Sequence, residues 1–136
     1  MKLRILIAED DLYSRKYLFK LLSRYGECDL VVDGMEALDA FLLAEKENSP
    51  YDLICLDIIL PKIDGVKVLK HIRDLEKQKD RLSKKQSKII MTTALAQTQL
   101  VQKAFDIGCD AYAAKPINTE KLLKVLNNVN LIKDTK

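Results

Sequence analysis

The stretch LICLDIILPKIDG, residues 53–65, places one aspartate, Asp57, directly after an apolar run with the pattern of a buried β-strand. Three more apolar residues, Pro61 and an Asp-Gly pair follow it. Burying an ionised carboxylate without a partner is costly, because water no longer solvates the charge. Asp57 therefore requires a compensating group, or it serves a chemical purpose.

The length and composition predict one globular domain spanning residues 1–136. The chain has 136 residues, of which 48% are hydrophobic and 32% are charged, as in soluble globular proteins. No apolar run approaches the roughly 20 residues that span a bilayer, and the acids that follow the first apolar run exclude a signal peptide. We expect a cytoplasmic protein without membrane contact.

The cysteines and the histidine offer little chemistry. Cys28, Cys55 and Cys109 are widely spaced and form no CxxC pair, which argues against a disulfide framework and a zinc site. We interpret them as small buried residues. His71 is the only histidine, and we expect it on an exposed helix surface.

The positive charge is concentrated in one segment. The net charge is +3, and residues 67–88 contain nine Lys or Arg residues against three acids. A basic run can indicate nucleic-acid contact, but this one has no interleaved aromatic residue. We favour a solvated helix end and loop, so we do not expect nucleic acid as a partner for this domain alone.

Apolar runs alternate with segments of helical period, which predicts an α/β fold. The predicted strands are 3–8, 28–32, 52–56, 88–92 and 110–114. One predicted helix buries Leu18, Leu21 and Leu22 with Tyr25, the next buries Leu38, Phe41 and Leu42, and the others span 64–76, 97–107 and 119–130. Strands without polar alternation are typical of a parallel sheet covered by helices on both faces.

Boundary residues agree with this order. Asp33 with Glu36 resembles a capping box, Asn118 is a suitable cap for the last helix, and Gly26 and Gly108 lie where helices should end. Residues 77–87 are predicted to extend a helix and form a loop.

Polar residues collect where the predicted strands end. In open parallel sheets, ligands bind beyond the carboxyl ends of the strands. These ends supply Glu9, Asp10 and Asp11, then Asp57, then Thr92 and Thr93, then Lys115 and Pro116. Crowded carboxylates repel one another, and oxygen ligands with room for water suit Mg2+. With a lysine and a hydroxyl group for phosphate oxygens, the set predicts a phosphoryl-transfer site.

Four motifs give the chain a resemblance to the response regulator receiver domains of two-component signalling. They are AEDD at 8–11, LDIILPKIDG at 56–65, TTALA at 92–96 and DAYAAKP at 110–116. The resemblance covers essentially the whole chain. It implies a flavodoxin-like, doubly wound sheet of five parallel strands in the order 2-1-3-4-5.

The resemblance also implies roles for individual residues. Asp57 would accept a phosphoryl group from a sensor histidine kinase or a histidine phosphotransfer protein. Asp10 would bind Mg2+ directly and Glu9 through water, with the backbone carbonyl of Ile59 as a further ligand. Lys115 would pair with the phosphoryl group, and its bond to Pro116 would be cis. Asp11 is better interpreted as a helix cap or a surface acid.

The resemblance assigns further residues to switching and to the lifetime of the phosphorylated form. Thr92 and Thr93 compete for the hydroxyl role, and Thr93 is favoured because Ala94 follows it and its spacing to Lys115 fits. Tyr112 would be an aromatic switch residue, or else a strand aromatic packed in the core. Ile59 and Leu95 would flank the path of the attacking water and slow hydrolysis of the phosphorylated aspartate. The surface over residues 93–130 would bind a downstream protein.

Two other classes of protein fit the sequence less well. An aspartyl-nucleophile phosphatase of the haloacid dehalogenase type needs an acid at position 59, where this chain has Ile59. A flavin or dinucleotide carrier needs a phosphate-binding loop after the first strand, where this chain has three acids. We expect no metabolic enzyme, only self-phosphorylation and slow autodephosphorylation. The receiver would act alone, or as the amino-terminal half of a DNA-binding or enzymatic regulator.

Overall fold

Strands and helices alternate through the chain in a computed structural model that describes residues 2–79, 86–94 and 98–133, apart from the side chain of Thr98. The strands are β1 (Leu3–Ala8), β2 (Gly26–Val31), β3 (Leu53–Asp57), β4 (Lys88–Thr93) and β5 (Ala111–Ala114). The helices are α1 (Leu12–Leu22), α2 (Gly34–Lys46), α3 (Gly65–Gln78), α4 (Thr98–Ile107) and α5 (Thr119–Asn128). None of the described helices has the length and apolar character needed to cross a membrane.

The sheet is parallel and has the order β2-β1-β3-β4-β5, which confirms the predicted topology. The strand limits differ from the prediction by two residues or fewer. Gly26 does not end a helix, because α1 already ends at Leu22 and Gly26 is the first residue of β2. A Cβ atom at Gly26 would lie 1.9 Å from the carbonyl oxygen of Leu3, so the close approach of β1 requires glycine there. Gly108 does follow α4, with a positive φ of 130°.

Helices cover both faces of the sheet. One buried cluster joins α1 and α5 to Ile5, Ile7 and Ile90, and we call its side of the sheet the α1/α5 face. The other cluster joins α2, α3 and α4 to the alternate strand residues. Leu42 was predicted to share the buried face of α2, but it is exposed, because Ala37, Phe41 and Ala44 form that face.

The predicted helix caps are present. Asp33 accepts a hydrogen bond from the backbone N–H of Glu36, and the Glu36 carboxylate accepts one from the N–H of Val32. The second bond reaches one residue before the cap, so this is a variant of the capping box. Asn118 accepts from the N–H of Lys121 and begins α5.

At the amino end of the sheet, an ion-pair network that we call the amino-end cluster consists of Arg73, Glu76, Ser87 and Asp110. Arg73 is 6% exposed and lies 2.6 Å from a Glu76 oxygen and 3.0 Å from an Asp110 oxygen. The solvated interpretation of the basic segment is therefore wrong for Arg73. It holds for the exposed residues Lys67, Lys70, Lys77 and Lys79. The predicted loop falls largely on residues 80–85, outside the described residues.

Candidate functional site

The carboxyl ends of β1 and β3 bring three carboxylates together. Glu9 follows β1 and is 0% exposed, Asp57 ends β3 and is 5% exposed, and Asp10 lies at the surface. One carboxylate oxygen from each of the three lies within 4.8 Å of the others. We call these acids with Lys115 the carboxyl-end cluster.

Lys115 supplies the positive charge that the position of Asp57 requires. Its Nζ atom donates a hydrogen bond to Asp57 Oδ2 at 2.9 Å and lies 2.7 Å from Glu9 Oε1. The second contact is outside hydrogen-bonding geometry and is an ion pair. The backbone holds the lysine in place, because its N–H donates to the carbonyl oxygen of Thr93 at 2.7 Å. The Lys115–Pro116 bond is cis, as the resemblance implies.

Burial and the neighbouring charges together shift two pKa values in the carboxyl-end cluster. Burial raises the pKa of Glu9 to about 7, and the neighbouring Asp57 adds to the rise while Lys115 opposes it. Burial acts to lower the pKa of Lys115, but its contacts with Glu9 and Asp57 outweigh burial and raise that pKa above its usual value. The ammonium group therefore stays charged.

The loop after β3 orients the second oxygen of Asp57. The backbone N–H of Ile59 donates to Asp57 Oδ1 at 3.0 Å, and the side chain of Ile59 is 55% exposed. Gly65 begins α3 directly beneath this loop, where a Cβ atom would lie 2.0 Å from the carbonyl oxygen of Asp57. Asp64 caps α3 by accepting from the N–H of Lys67. Backbone contacts thus set the direction of the Asp57 carboxylate.

The two candidate threonines lie on opposite faces of the sheet. Thr92 is paired with Asp57, and Thr93 is paired with Ala114. Both are buried, at 1% and 3% exposed. Because side chains alternate along a strand, Thr92 shares the α1/α5 face with Ile90, and Thr93 points towards the side covered by α4.

Tyr112 is not packed in the core. It is 42% exposed and makes an edge-to-face contact with Phe105 of α4, with ring centroids 6.2 Å apart. This excludes the alternative of a buried strand aromatic. The other predicted residue near this surface, Leu95, lies outside the described residues.

Arg15 belongs to the site, although its role was not predicted from the sequence. Its Nη1 atom donates to the carbonyl oxygen of Glu9 at 2.9 Å and to that of Asp10 at 3.3 Å. Asp11 caps α1 by accepting from the N–H of Ser14, as predicted. A basic residue in the first turn of a helix, directly after the acids, was the available signal, since one helical turn brings Arg15 back to them.

The donor set fits a hard divalent cation. The three clustered acids offer only oxygen atoms, and the exposed position of Asp10 leaves room for water ligands. Mg2+ prefers such a shell, because it binds a few carboxylates and retains several waters. One lysine does not balance three carboxylates, so a cation would also relieve their repulsion.

Comparisons with known proteins agree with this geometry. A family model described as the response regulator receiver domain matches residues 5–127. The chemotaxis protein CheY of Treponema pallidum is 30% identical over 129 residues, which cover 93% of this chain and 81% of that protein. Two hybrid signal transduction histidine kinases of Dictyostelium discoideum also match, but the aligned residues span only 4% and 7% of their lengths.

Two solved structures share the fold. The CheX-CheY-BeF3-Mg2+ complex from Borrelia burgdorferi matches with a TM-score of 0.77 and 27% identity, covering 93% of this chain and 88% of that one. The Saccharomyces cerevisiae complex of the phosphotransfer protein Ypd1 with the Ssk1 receiver domain matches with a TM-score of 0.78 and 28% identity. The match covers 99% of this chain and 95% of the matched chain. With the site geometry and the matched family model, these likenesses lead to one conclusion: the chain belongs to the response regulator receiver domain family.

Proposed function

We propose that this receiver accepts a phosphoryl group on Asp57 and that phosphorylation changes a protein-binding surface over residues 93–130. Receiver domains are regulatory rather than metabolic, so the chemistry is limited to the receiver's own phosphorylation and slow dephosphorylation. One observation carries the proposal: a buried carboxylate is held between Lys115 and two further acids at the carboxyl end of a parallel sheet.

The phosphoryl donor is a phosphohistidine on a sensor histidine kinase or a histidine phosphotransfer protein. A carboxylate oxygen of Asp57 forms a bond to phosphorus while the bond from phosphorus to the histidine nitrogen breaks, and the imidazole leaves with that electron pair. The Ile59 N–H and the Lys115 ammonium orient the two carboxylate oxygens. The Ypd1 complex described above supports a phosphotransfer partner, because its receiver is similar to this chain over nearly its whole length.

Glu9, Asp10, Asp57 and the backbone carbonyl of Ile59 would hold Mg2+. A bound Mg2+ neutralises charge between the phosphoryl oxygens and the carboxylates. The chain's own contribution is positional: Lys115 holds Asp57, and Arg15 fixes the backbone of the acid pair.

The switch connects Thr93 to Tyr112. A phosphoryl group on Asp57 draws the Thr93 hydroxyl towards it, and the space near α4 that this opens admits the ring of Tyr112. The ring of Tyr112 is 42% exposed and contacts Phe105 edge to face, which supports a role in such a rearrangement. Phosphorylation thereby biases a two-state element.

Incubation with acetyl phosphate and Mg2+, followed by mass measurement, tests the acceptor. We expect one phosphoryl adduct in the parent, none in Asp57→Asn, and none in EDTA. Asp64→Asn is the matched control, because it makes the same chemical change in the same loop and asparagine is an equally good helix cap. An adduct on Asp57→Asn, or one that forms equally well in EDTA, contradicts the proposal.

The same chemistry applies whether the receiver works alone or as part of a larger regulator. The chain spans most of the Treponema pallidum chemotaxis protein but a small part of the hybrid kinases. We propose that residues 1–136 form one receiver domain in the cytoplasm. Reading the coding sequence past residue 136 distinguishes a stand-alone receiver from one that an output domain follows.

A further inference from the structure

Thr92 carries a buried hydroxyl group that the chemistry above does not use. Its Oγ1 atom has no hydrogen-bond partner within the part of the chain that the structure describes, and the residue is 1% exposed. Buried polar groups are nearly always paired, because an unpaired one has lost its water without replacement. An unpaired hydroxyl beside a reactive centre is therefore a candidate for a partner that arrives during the reaction.

The register of the sheet places Thr92 beside the phosphoacceptor. Thr92 is paired with Asp57 on one side and with Ala113 on the other. Residues paired across parallel strands lie about 4.8 Å apart and point to the same face. Thr92 and Asp57 are thus lateral neighbours on the α1/α5 face.

Lys115 spans strand β4 to reach its partners. The lysine lies two residues after Ala113, so it points to the same face, and its Nζ atom reaches Asp57 on β3 and Glu9 after β1. The path from β5 to β3 passes over β4. Thr92 is the last residue of β4 on that face, because Thr93 points the other way. The lysine side chain therefore spans the strand that carries Thr92.

The ammonium group has capacity for another acceptor. It carries three N–H donors, of which one is donated to Asp57, while Glu9 contributes an ion pair without hydrogen-bonding geometry. When an oxygen of Asp57 bonds to phosphorus, the carboxylate loses negative charge and its hold on the ammonium weakens. Lys115 then needs new partners: a phosphoryl oxygen and a neutral acceptor nearby.

We propose that Thr92 is a positioning residue of this site, whose hydroxyl oxygen accepts a hydrogen bond from Lys115 as the phosphoryl group is transferred. The inference rests on the proposed function and deepens it. The hydroxyl is unpaired in the resting protein and paired in the reacting one, so its contribution lies in the transition state and not in the ground state. Interactions of that kind raise the rate of a reaction, whereas uniform binding does not.

The experiment compares Thr92→Val with Thr92→Ser. Valine keeps the shape and removes the hydroxyl, while serine keeps the hydroxyl and removes a methyl group. Ile90→Val is the packing control, because Ile90 lies two residues earlier on the same strand face and is 0% exposed. Each variant is also made in a Lys115→Met background. The measurements are the rate of adduct formation with acetyl phosphate and Mg2+, by mass, and the urea midpoint of unfolding.

We expect Thr92→Val to form the adduct about tenfold more slowly, which is the effect of losing one hydrogen bond to a charged group. Its urea midpoint should stay equal or rise, because an unpaired buried hydroxyl is removed. Thr92→Ser and Ile90→Val should react at the parental rate. In the Lys115→Met background, the valine substitution should have no further effect.

Three results overturn the inference while leaving the proposed function intact: a parental rate in Thr92→Val, an equal loss in Ile90→Val, or a loss in Thr92→Val that persists without Lys115. Absence of the adduct from the parent protein contradicts the proposed function itself. The two failures are therefore distinguishable in the same set of samples.

Discussion

The two ends of the sheet both contain ionic clusters, but only the one at the amino end is closed, in the sense that Arg73 and a backbone N–H satisfy each of its carboxylates, although Asp110 is exposed. At the amino end, Arg73 contacts both carboxylates and the carbonyl oxygens of Ser87 and Gly108. The carboxylates also accept backbone N–H groups, Glu76 from Ser87 and Asp110 from Ile89. At the carboxyl end, one ammonium group faces three carboxylates, and Asp10 opens onto the surface.

This difference separates a structural use of buried charge from a reactive one. The amino-end cluster ties the end of α3 to the entries of β4 and β5, and its hydrogen bonds come from within the protein. The carboxyl-end cluster has the larger excess of negative charge, with three carboxylates to one ammonium group, so it has capacity for a cation and a phosphoryl group. The same residue types therefore stabilise the fold at one end and leave reactivity at the other.

The largest effect is expected on stability when the closed amino-end cluster loses its arginine. Arg73→Met leaves Glu76 and Asp110 without their buried counter-ion, and we expect the free energy of unfolding to fall by about 3–5 kcal/mol. Urea denaturation measures it. Lys70→Met is the matched control on the same helix, because Lys70 forms an exposed pair with Asp74 and should change stability by less than about 1 kcal/mol. Equal losses of unfolding free energy in the two variants would show that the amino-end cluster does not stabilise the fold.

The next effect concerns how well the open cluster is shielded from water. The apolar side chains of Ile59 and Leu95 offer no hydrogen bond to an attacking water, so we expect the phosphorylated protein to decay slowly. The double variant Ile59→Asn, Leu95→Glu should decay about 100-fold faster if its polar groups orient that water. Decay is followed by mass after the donor is removed.

Met35→Gln provides the control for the decay experiment. Met35 is 50% exposed, close to the exposure of Ile59, but lies on α2. Its substitution should leave the decay rate unchanged. Decay of the parent within seconds, or an unchanged rate in the double variant, would remove the argument from these two side chains.

A smaller effect is expected from Mg2+, which should stabilise the protein at the carboxyl-end cluster, where carboxylates outnumber the ammonium group. Mg2+ bound to the native protein alone should raise its free energy of unfolding, by about 1.4 kcal/mol at a concentration ten times the dissociation constant. Asp10→Asn should lose most of this gain. Asp11→Asn should keep it, because Asp11 caps α1 and asparagine retains the cap. Thermal unfolding with and without Mg2+ checks both variants, and a full gain in Asp10→Asn would place the cation elsewhere.

The smallest effect is expected at the closed end. With Mg2+ and beryllofluoride as a phosphoryl mimic, amide chemical shifts should change most within residues 93–116. The amides of Ser87 and Ile89 should barely move, since each is hydrogen-bonded to a carboxylate of the amino-end cluster. Large shifts at those two amides, with small ones at 93–116, would reverse the roles of the two ends.

Local patterns predicted the strands and their carboxyl ends well. The run of residues 3–8 is strand β1 with the predicted limits, because it is apolar apart from Arg4 and its end is marked by the first acids. Asp64 and Asn118 cap helices for reasons that lie within four residues of sequence. Such features depend on near neighbours in the chain and can be predicted without the fold.

Side-chain environment was predicted less well. Arg73 was grouped with its exposed basic neighbours, although it follows Leu69 by four residues and lies on the buried face of α3. Its partner Asp110 is 37 residues away, so no local sequence pattern predicts this ion pair. The helical spacing of Leu42 with Leu38 and Phe41 predicts a buried Leu42, whereas Phe41 and Ala44 already fill the space beneath α2.

The sequence by itself determined which residues stand at the strand ends, because apolar runs and helical periods depend on neighbouring residues. It thereby determined the set of carboxylates, hydroxyl groups and lysine available for chemistry. Only the tertiary structure decided how these groups meet. Lys115 contacts Asp57 across 58 residues of sequence. Thr92 lies on the strand between theirs, and its hydroxyl has no hydrogen-bond partner among the described residues. Those relations depend on strand order and register, since backbone pairing over the whole sheet sets the distances between side chains that are remote in the chain.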